Sequence, residues 1–191
     1  MNNTLDYYNH NAEAYALSTQ NADVTDLYTD FEECLNPGSR ILDLGCGSGR
    51  DSKYFKSRNY DVVPVDGSPE MCREAAKYTG LLVRCIRFAE LDYKEEFDGI
   101  WACASLLHVP QDELPSVMKR VGRALKQDGV LYASYKYGEG ERFIDKRHFS
   151  YYNEYDLDWL SNLELIEYWI SNDVRQDRLG EKWLNTLWRK V

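Results

Sequence analysis

Gly45, Gly47 and Gly49 stand at alternate positions in ILDLGCGSGRDS, the stretch from Ile41 to Ser52. An apolar run precedes them and polar helix formers follow. Such a stretch reads as a strand turning into a helix, and the missing side chains let a ligand approach the backbone and the unpaired N–H groups of the helix N-terminus. A G-x-G-x-G triplet alone also suits a tight turn that binds nothing. Roughly 20 residues further on, VVPVDGSPEM closes a second apolar run with Asp66, the interval at which a carboxylate meets ribose hydroxyls. The alternative is that Asp66 caps the helix beginning at Ser68 and Pro69, with Met71 a core residue of its first turn. The chemistry that unites turn and acid is the binding of a nucleotide-like ligand. Position 50 is Arg50 where G-x-G-x-x-G needs its third glycine, which disfavours a dinucleotide.

The elements that must position these residues alternate. Apolar spacing predicts helices over 4–17 and 22–35, then strands over 40–44, 61–65, 81–87, 99–103 and 130–135, with helices over 51–58, 69–78 and 112–126 between them. Repeated strand-helix units imply a parallel sheet with helices on both faces and a ligand beyond the carboxyl ends of its strands. After Tyr135 an irregular polar stretch is expected, then a helix over 153–160 and a closing hairpin from 164–170 and 182–190.

The chain has 191 residues, 43% hydrophobic and 29% charged, a composition suited to one well-buried domain over 1–191. Asp and Glu number 32 against 23 Lys and Arg, for a formal net charge of -9. That balance repels phosphate backbones and makes nucleic acid a poor partner. The five cysteines form neither a C-x-x-C pair nor a disulfide framework, which fits a reducing cytoplasm. MNNTLDYYNH has no basic region ahead of an apolar one, and the longest apolar run, GIWACASLLHVP, falls short of the roughly 18 to 20 residues of a membrane span. A soluble, cytoplasmic protein is expected, and nothing fixes its oligomeric state.

Taken in order, DLGCGSGRDS, VDGSPEMCREA and FDGIWACASLLHVP resemble the class I S-adenosylmethionine-dependent methyltransferases over nearly the whole chain. The form of the glycine turn is similar to that of the small tellurite-resistance-type methyltransferases. The resemblance implies an α/β fold: a Rossmann-like doubly wound sheet, mostly parallel, with a C-terminal antiparallel hairpin and helices on both faces. It implies S-adenosylmethionine as cofactor, S-adenosylhomocysteine as product, and no metal. It also implies that Asp43 and the backbone of Gly45, Cys46 and Gly47 hold the methionine end, with Arg50 near its carboxylate. Asp66 would take the ribose hydroxyls, and Gly67, Ser68 and Met71 would flank the adenine. Glu90 and Leu91 in RFAELDY would reach the adenine edge, with a solvated loop carboxylate the alternative for Glu90. Ala104 belongs to the 103–108 stretch expected beside the methyl group.

His108 in that stretch is a candidate to remove a proton or orient the acceptor, because imidazole titrates near neutral pH; packing before Val109 and Pro110 is the alternative. Cys103 reads as apolar core. Tyr8, Ala12 and Tyr15 share one helical face. The resemblance implies that helices within 1–35 cover the cofactor and bring Tyr8 and Tyr15 near the sulfonium, whose charge a ring face stabilises; an aromatic stripe docking the helix on the sheet is the alternative. KYGEGERFIDKRHFSYY gathers Lys136, Arg142, Lys146, Arg147 and His148 among aromatics, and 136–152 is expected to form either a lid over a small anionic acceptor or a solvated loop. The expected activity is methyl transfer to a small-molecule acceptor by in-line displacement. An RNA or protein methyltransferase and a non-catalytic cofactor-binding regulator are the alternatives, and an NAD-dependent enzyme stands further off.

Overall fold

Near-continuous apolar runs bury both faces of the central strands, and helices cover both. The computed structural model describes residues 3–159, 163–175, 178 and 180–191. Helices α1 (Asn3–Thr19) and α2 (Thr25–Glu33) precede β1 (Arg40–Leu44), α3 (Arg50–Ser57), β2 (Asp61–Asp66), α4 (Pro69–Thr79), β3 (Arg84–Cys85), β4 (Phe97–Ala102), α5 (Leu114–Ala124) and β5 (Leu125–Tyr137). Strands β6 (Glu141–Ile144), β7 (Arg147–Tyr152), β8 (Glu164–Asn172) and β9 (Lys182–Arg189) follow. No helix among the described residues is long and apolar enough to cross a membrane.

The strands lie in the order β3-β2-β1-β4-β5, all parallel. Beyond β4 the sheet forks on β5. Val130 to Lys136 pair antiparallel with β9, whose other neighbour is β8, whereas Lys136 and Tyr137 pair parallel with Tyr151 and Tyr152 of β7. Leu42, Val63, Ile100 and Leu131 face α5, where Val117, Met118 and Val121 meet them. The alternate residues Ile41, Val62, Trp101 and Val130 face Tyr28 and Phe31 of α2 and Phe55 of α3. The chain's order reverses at β1, between β2 and β4, so a crevice opens beyond Leu44 and Ala102.

Four expectations differ from what is observed. Helix α2 starts at Thr25 because the Asp23 carboxylate accepts both the N–H and the hydroxyl of Thr25, at 3.0 and 2.6 Å, in the turn before it. The strand expected over 81–87 shrinks to Arg84–Cys85, which pair only with Val65 and Asp66. The stretch after Tyr135 is no irregular coil: β5 runs on to Tyr137, and β6 and β7 form a hairpin. All four β6 residues are exposed and all but one of β7 are buried, so neither carries the alternation that marks a half-buried strand. The helix expected over 153–160 is a 3-10 turn over Glu154–Trp159, and position 160 lies outside the described residues.

Candidate functional site

The turn after β1 is built on left-handed backbone. Gly45, Gly47 and Gly49 have φ of +78°, +53° and +80°, values that cost an L side chain about 1 to 2 kcal/mol. A Cβ on Gly45 would lie 2.5 Å from that of Ser105, and one on Gly49 2.7 Å from Thr79 Cγ2. A Cβ on Gly47 would meet nothing within 4 Å, so that face of the turn is open. The Val65 carbonyl accepts the N–H groups of Gly45 and Cys46, each at 2.9 Å, and ties the turn to β2. At the end of β2, Asp66 accepts the Gly47 N–H on Oδ2 at 3.0 Å and the Ser68 N–H on Oδ1 at 2.8 Å. Each oxygen keeps a lone pair for a further donor. Burial raises the Asp66 carboxyl above its ordinary range, against the pull of these backbone donors.

Two buried acids flank the turn: Asp43 stands off the crevice and Asp51 lines it. Asp51 accepts the Tyr28 hydroxyl at 2.7 Å, the Trp101 Nε1–H at 2.8 Å, and Nε and Nη2 of Arg50 at 2.6 and 3.0 Å. Burial opposes its charge, but the Arg50 guanidinium and these hydrogen bonds hold it below the usual carboxylate range. Asp43 accepts the Ser52 hydroxyl. Burial, reinforced by the Asp51 charge, pushes the Asp43 carboxyl well up.

On the facing side, Ala104 adopts φ +53° and donates its N–H to Ser134 Oγ at 2.8 Å. Left-handed alanine is strained, and such strain collects at functional sites. A 3-10 turn over Leu106–His108 then presents His108, whose Nδ1 lies 2.6 Å from the His148 carbonyl and whose Nε2 lies 2.8 Å from the Tyr8 hydroxyl. The carbonyl can only accept, so Nδ1 carries the hydrogen and Nε2 accepts the Tyr8 O–H. Burial lowers His108 to about 4, with Arg147 and His148 adding to it against the backbone hydrogen bond, and the imidazole is neutral at pH 7. Burial and Tyr15 push the Tyr8 phenol well up; the Tyr15 ring packs edge-on against Tyr8 at 5.0 Å.

Helix α1 is fastened across the crevice. Thr4 Oγ1 accepts the His148 N–H at 3.0 Å, Ser68 Oγ donates to Asn9 Oδ1 at 2.6 Å, and Leu5 packs on Gly67. Beneath it lies a cavity of about 680 Å³ lined by Tyr8, Tyr15, Gly45, Cys46, Gly47, Arg50, Asp66, Gly67, Met71, Ala104 and His108. Four expected residues stand off its wall. Asp43 lies behind the turn, and Ser68 caps α4 by accepting the Met71 N–H at 3.2 Å. Glu90 is exposed and accepts the Arg87 N–H at 3.2 Å, while Leu91 is buried in the core. Arg87, Phe88 and Ala89 line the cavity in place of Glu90 and Leu91.

The far end of the cavity is formed by Lys136, Arg147 and Phe149 together with Asp173, Arg175, Trp183 and Asn185 from β8–β9 and its connection. The last four escaped the sequence reading; the one signal for Asp173 and Arg175 is the charge in SNDVRQDRLG, which spacing alone does not bring opposite β1, and Trp183 and Asn185 follow it in β9. The 136–152 segment thus contributes one wall through Lys136, Arg147 and Phe149. Arg142 and Lys146 are exposed and outside the cavity, and Arg142 stacks on Tyr151 at 4.3 Å.

Residues 41–129 match the family described as Methyltransferase domain. An uncharacterized methyltransferase of Staphylococcus carnosus is 24% identical over 171 residues, 87% of this chain and 82% of that protein. The structure of Burkholderia thailandensis 1,6-didemethyltoxoflavin-N1-methyltransferase, with bound 1,6-didemethyltoxoflavin and S-adenosylhomocysteine, matches with a TM-score of 0.77 over 97% of this chain and 85% of that one, at 23% identity. A TehB-like S-adenosylmethionine-dependent methyltransferase from Corynebacterium glutamicum matches with a TM-score of 0.69 over 98% of each chain, at 19% identity. At such identities the two structures speak to the fold, and the domain match speaks for residues 41–129. The chain thus carries a methyltransferase-domain match over 41–129 and has the fold of S-adenosylmethionine-dependent methyltransferases.

Proposed function

We propose that the chain transfers the methyl group of S-adenosylmethionine to a small-molecule acceptor by in-line displacement, with the cofactor at the glycine end of the cavity and the acceptor at the Tyr8–His108 end. The observation that carries this is one cavity of about 680 Å³, a size typical of small-ligand sites, running from the glycine turn to Tyr8 and His108 beneath α1. Two features fit the cofactor: the open face of Gly47 and the lone pair left on each Asp66 oxygen. Asp66 and Gly67 take the ribose, and Met71, Phe88 and Ala89 the adenine. The Ser48 N–H, the first N–H groups of α3 and Arg50 take the methionine end, while Asp43 steadies the turn from behind through Ser52. When bound, S-adenosylmethionine supplies an activated methyl on a sulfonium, displaced along the line from the attacking lone pair to the sulfur.

The chain itself contributes position and the exclusion of water, which can lower a barrier by roughly 7 to 11 kcal/mol. Tyr8 and Tyr15 offer ring faces to a cation. His108, at about 4, is poorly matched to proton removal at neutral pH, and its part is to fix the Tyr8 hydroxyl through Nε2. Calorimetric titration with S-adenosylmethionine, S-adenosylhomocysteine and NAD tests the cofactor half: the first two are expected to bind and NAD is not. Binding of NAD alone, or of none, refutes that half. A screen of small acceptors for S-adenosylhomocysteine release tests the other half. Turnover confined to RNA or protein overturns it, and on RNA that turnover would fall steeply with salt.

A further inference from the structure

The cations at the far end of the cavity differ in how they are paired. Lys136 pairs with Glu181, lies 4.0 Å from Asp173, and sits over the Trp183 ring at 4.3 Å. Asp173 in turn accepts Nε and Nη2 of Arg175 at 2.9 and 2.6 Å and the Trp183 N–H at 3.1 Å. Arg147 stands apart. Its side chain is 7% exposed and its counter-charge is Asp145 at 3.5 Å, itself 71% exposed. The guanidinium lies over the rings of Tyr7 and Phe149, at 4.2 and 5.2 Å, and forms part of the cavity wall.

A buried cation whose counter-charge stands largely in solvent is unfavourable, and an anion brought beside it in the cavity recovers part of the deficit. A guanidinium presents a planar fork that matches a carboxylate with two parallel N–H···O bonds. The aromatic walls around it, Tyr8 and Phe149, favour a flat molecule. We infer that Arg147 receives an anionic oxygen group, a carboxylate, on a small planar methyl acceptor; this rests on the division of the cavity into cofactor and acceptor halves given above. Arg147 sits beside both Tyr8 and His108, close enough for its charge to act on the titration of each, so an acid held there lies next to the proposed reaction centre. The chain's net charge of -9 would otherwise repel an anion, and a local cation inside a low-dielectric cleft reverses that repulsion where it matters.

The test uses protein saturated with S-adenosylhomocysteine and pairs of probes that differ in charge alone: benzoate against benzamide, nicotinate against nicotinamide, and indole-3-acetate against its amide. Calorimetry should show at least one acid binding roughly tenfold to a hundredfold more tightly than its amide. Arg147→Gln should bring that ratio close to one, and Arg142→Gln, at an exposed site outside the cavity, should leave it as it was. If Arg147→Gln does not fold, Arg147→Lys, which keeps the charge and loses the fork, should lower the ratio. Amides that bind as well as acids, a ratio that survives both Arg147 substitutions, or acids that do not bind at all would each overturn the inference. Failure to bind S-adenosylhomocysteine would fall on the cofactor assignment instead.

Discussion

His108 offers a direct check on the protonation state at the proposed acceptor site. In the folded chain it titrates near 4, chiefly because burial opposes the imidazolium; in an unfolded chain the value is about 6.5. The folded value is the depressed one, so the native state binds this proton less well than the unfolded state does. The stability linked to His108 is therefore fully present above about pH 6.5 and lost as the pH falls toward 4. At pH 5 the imidazole is nearly all protonated when unfolded and roughly one-tenth protonated when folded, a loss of about 2 kcal/mol relative to pH 7.5. In His108→Gln the amide can still donate to the His148 carbonyl and accept the Tyr8 hydroxyl, and the titration is gone. Urea melts at pH 7.5 and pH 5 should show wild type losing about 2 kcal/mol more than the variant on acidification. The imidazole resonances of His108 should move with a midpoint close to 4. Equal losses in the two proteins, or a midpoint near 6.5, would refute the neutral imidazole bonded to Tyr8 and restore His108 as a candidate base.

Asp66→Ala should weaken S-adenosylmethionine by about 1.5 to 3 kcal/mol through lost charge-assisted hydrogen bonds, while Lys146→Ala, exposed and away from the cavity, should not change it; normal binding to Asp66→Ala by calorimetry would move the ribose elsewhere. Asp51→Asn strips the buried Arg50 of its counter-charge and should cost about 3 to 5 kcal/mol in a urea melt, so a loss below about 1 kcal/mol would contradict the account of that pair. Gly47→Ala should cost about 1 to 2 kcal/mol for its left-handed backbone. Gly45→Ala should cost more, since its Cβ meets that of Ser105 at 2.5 Å, and the opposite order in thermal melts would refute the packing account of the turn.

What could be foreseen from the sequence was what one strand-turn-helix unit contains. Gly45, Gly47 and Asp66 each stand at the end of a strand whose apolar run marks where it stops, so their arrival at one crevice follows from strand order. The cavity wall expected at Glu90 and Leu91 lies elsewhere because β3 has only two residues. Without a long apolar run to mark its end, the wall fell on Arg87, Phe88 and Ala89 rather than three residues on. The far wall was out of reach for a different reason. Lys136 pairs with Tyr151 of β7 and with Trp183 of β9, and this fork is what gathers Arg147, Asp173 and Arg175 at one end of the cavity. Pairings across that much chain leave no periodic trace in any short window.

Asp43 and Asp51 have opposite fates, and this bears on how the proposed site would hold the methionine carboxylate. Asp51 collects four donated hydrogen bonds, two of them from Arg50, and so keeps its charge. Asp43 takes the Ser52 hydroxyl and is pushed toward the neutral acid by burial and by Asp51. A charged Asp43 beside a charged Asp51 would leave net negative charge under the proposed carboxylate site. With Asp43 protonated, Arg50 and Asp51 form a neutral pair and the region carries no excess negative charge. Arg50 is then already committed to Asp51, and only part of its field reaches the cavity. The proposed anchoring of the cofactor carboxylate thus falls chiefly on the Ser48 N–H and the first N–H groups of α3, where the helix dipole adds to them. On this reasoning Arg50→Gln should weaken the cofactor less than Asp66→Ala does, provided Asp51→Asn accompanies it to keep the buried pair neutral. A larger loss in that double variant would make Arg50 itself the anchor.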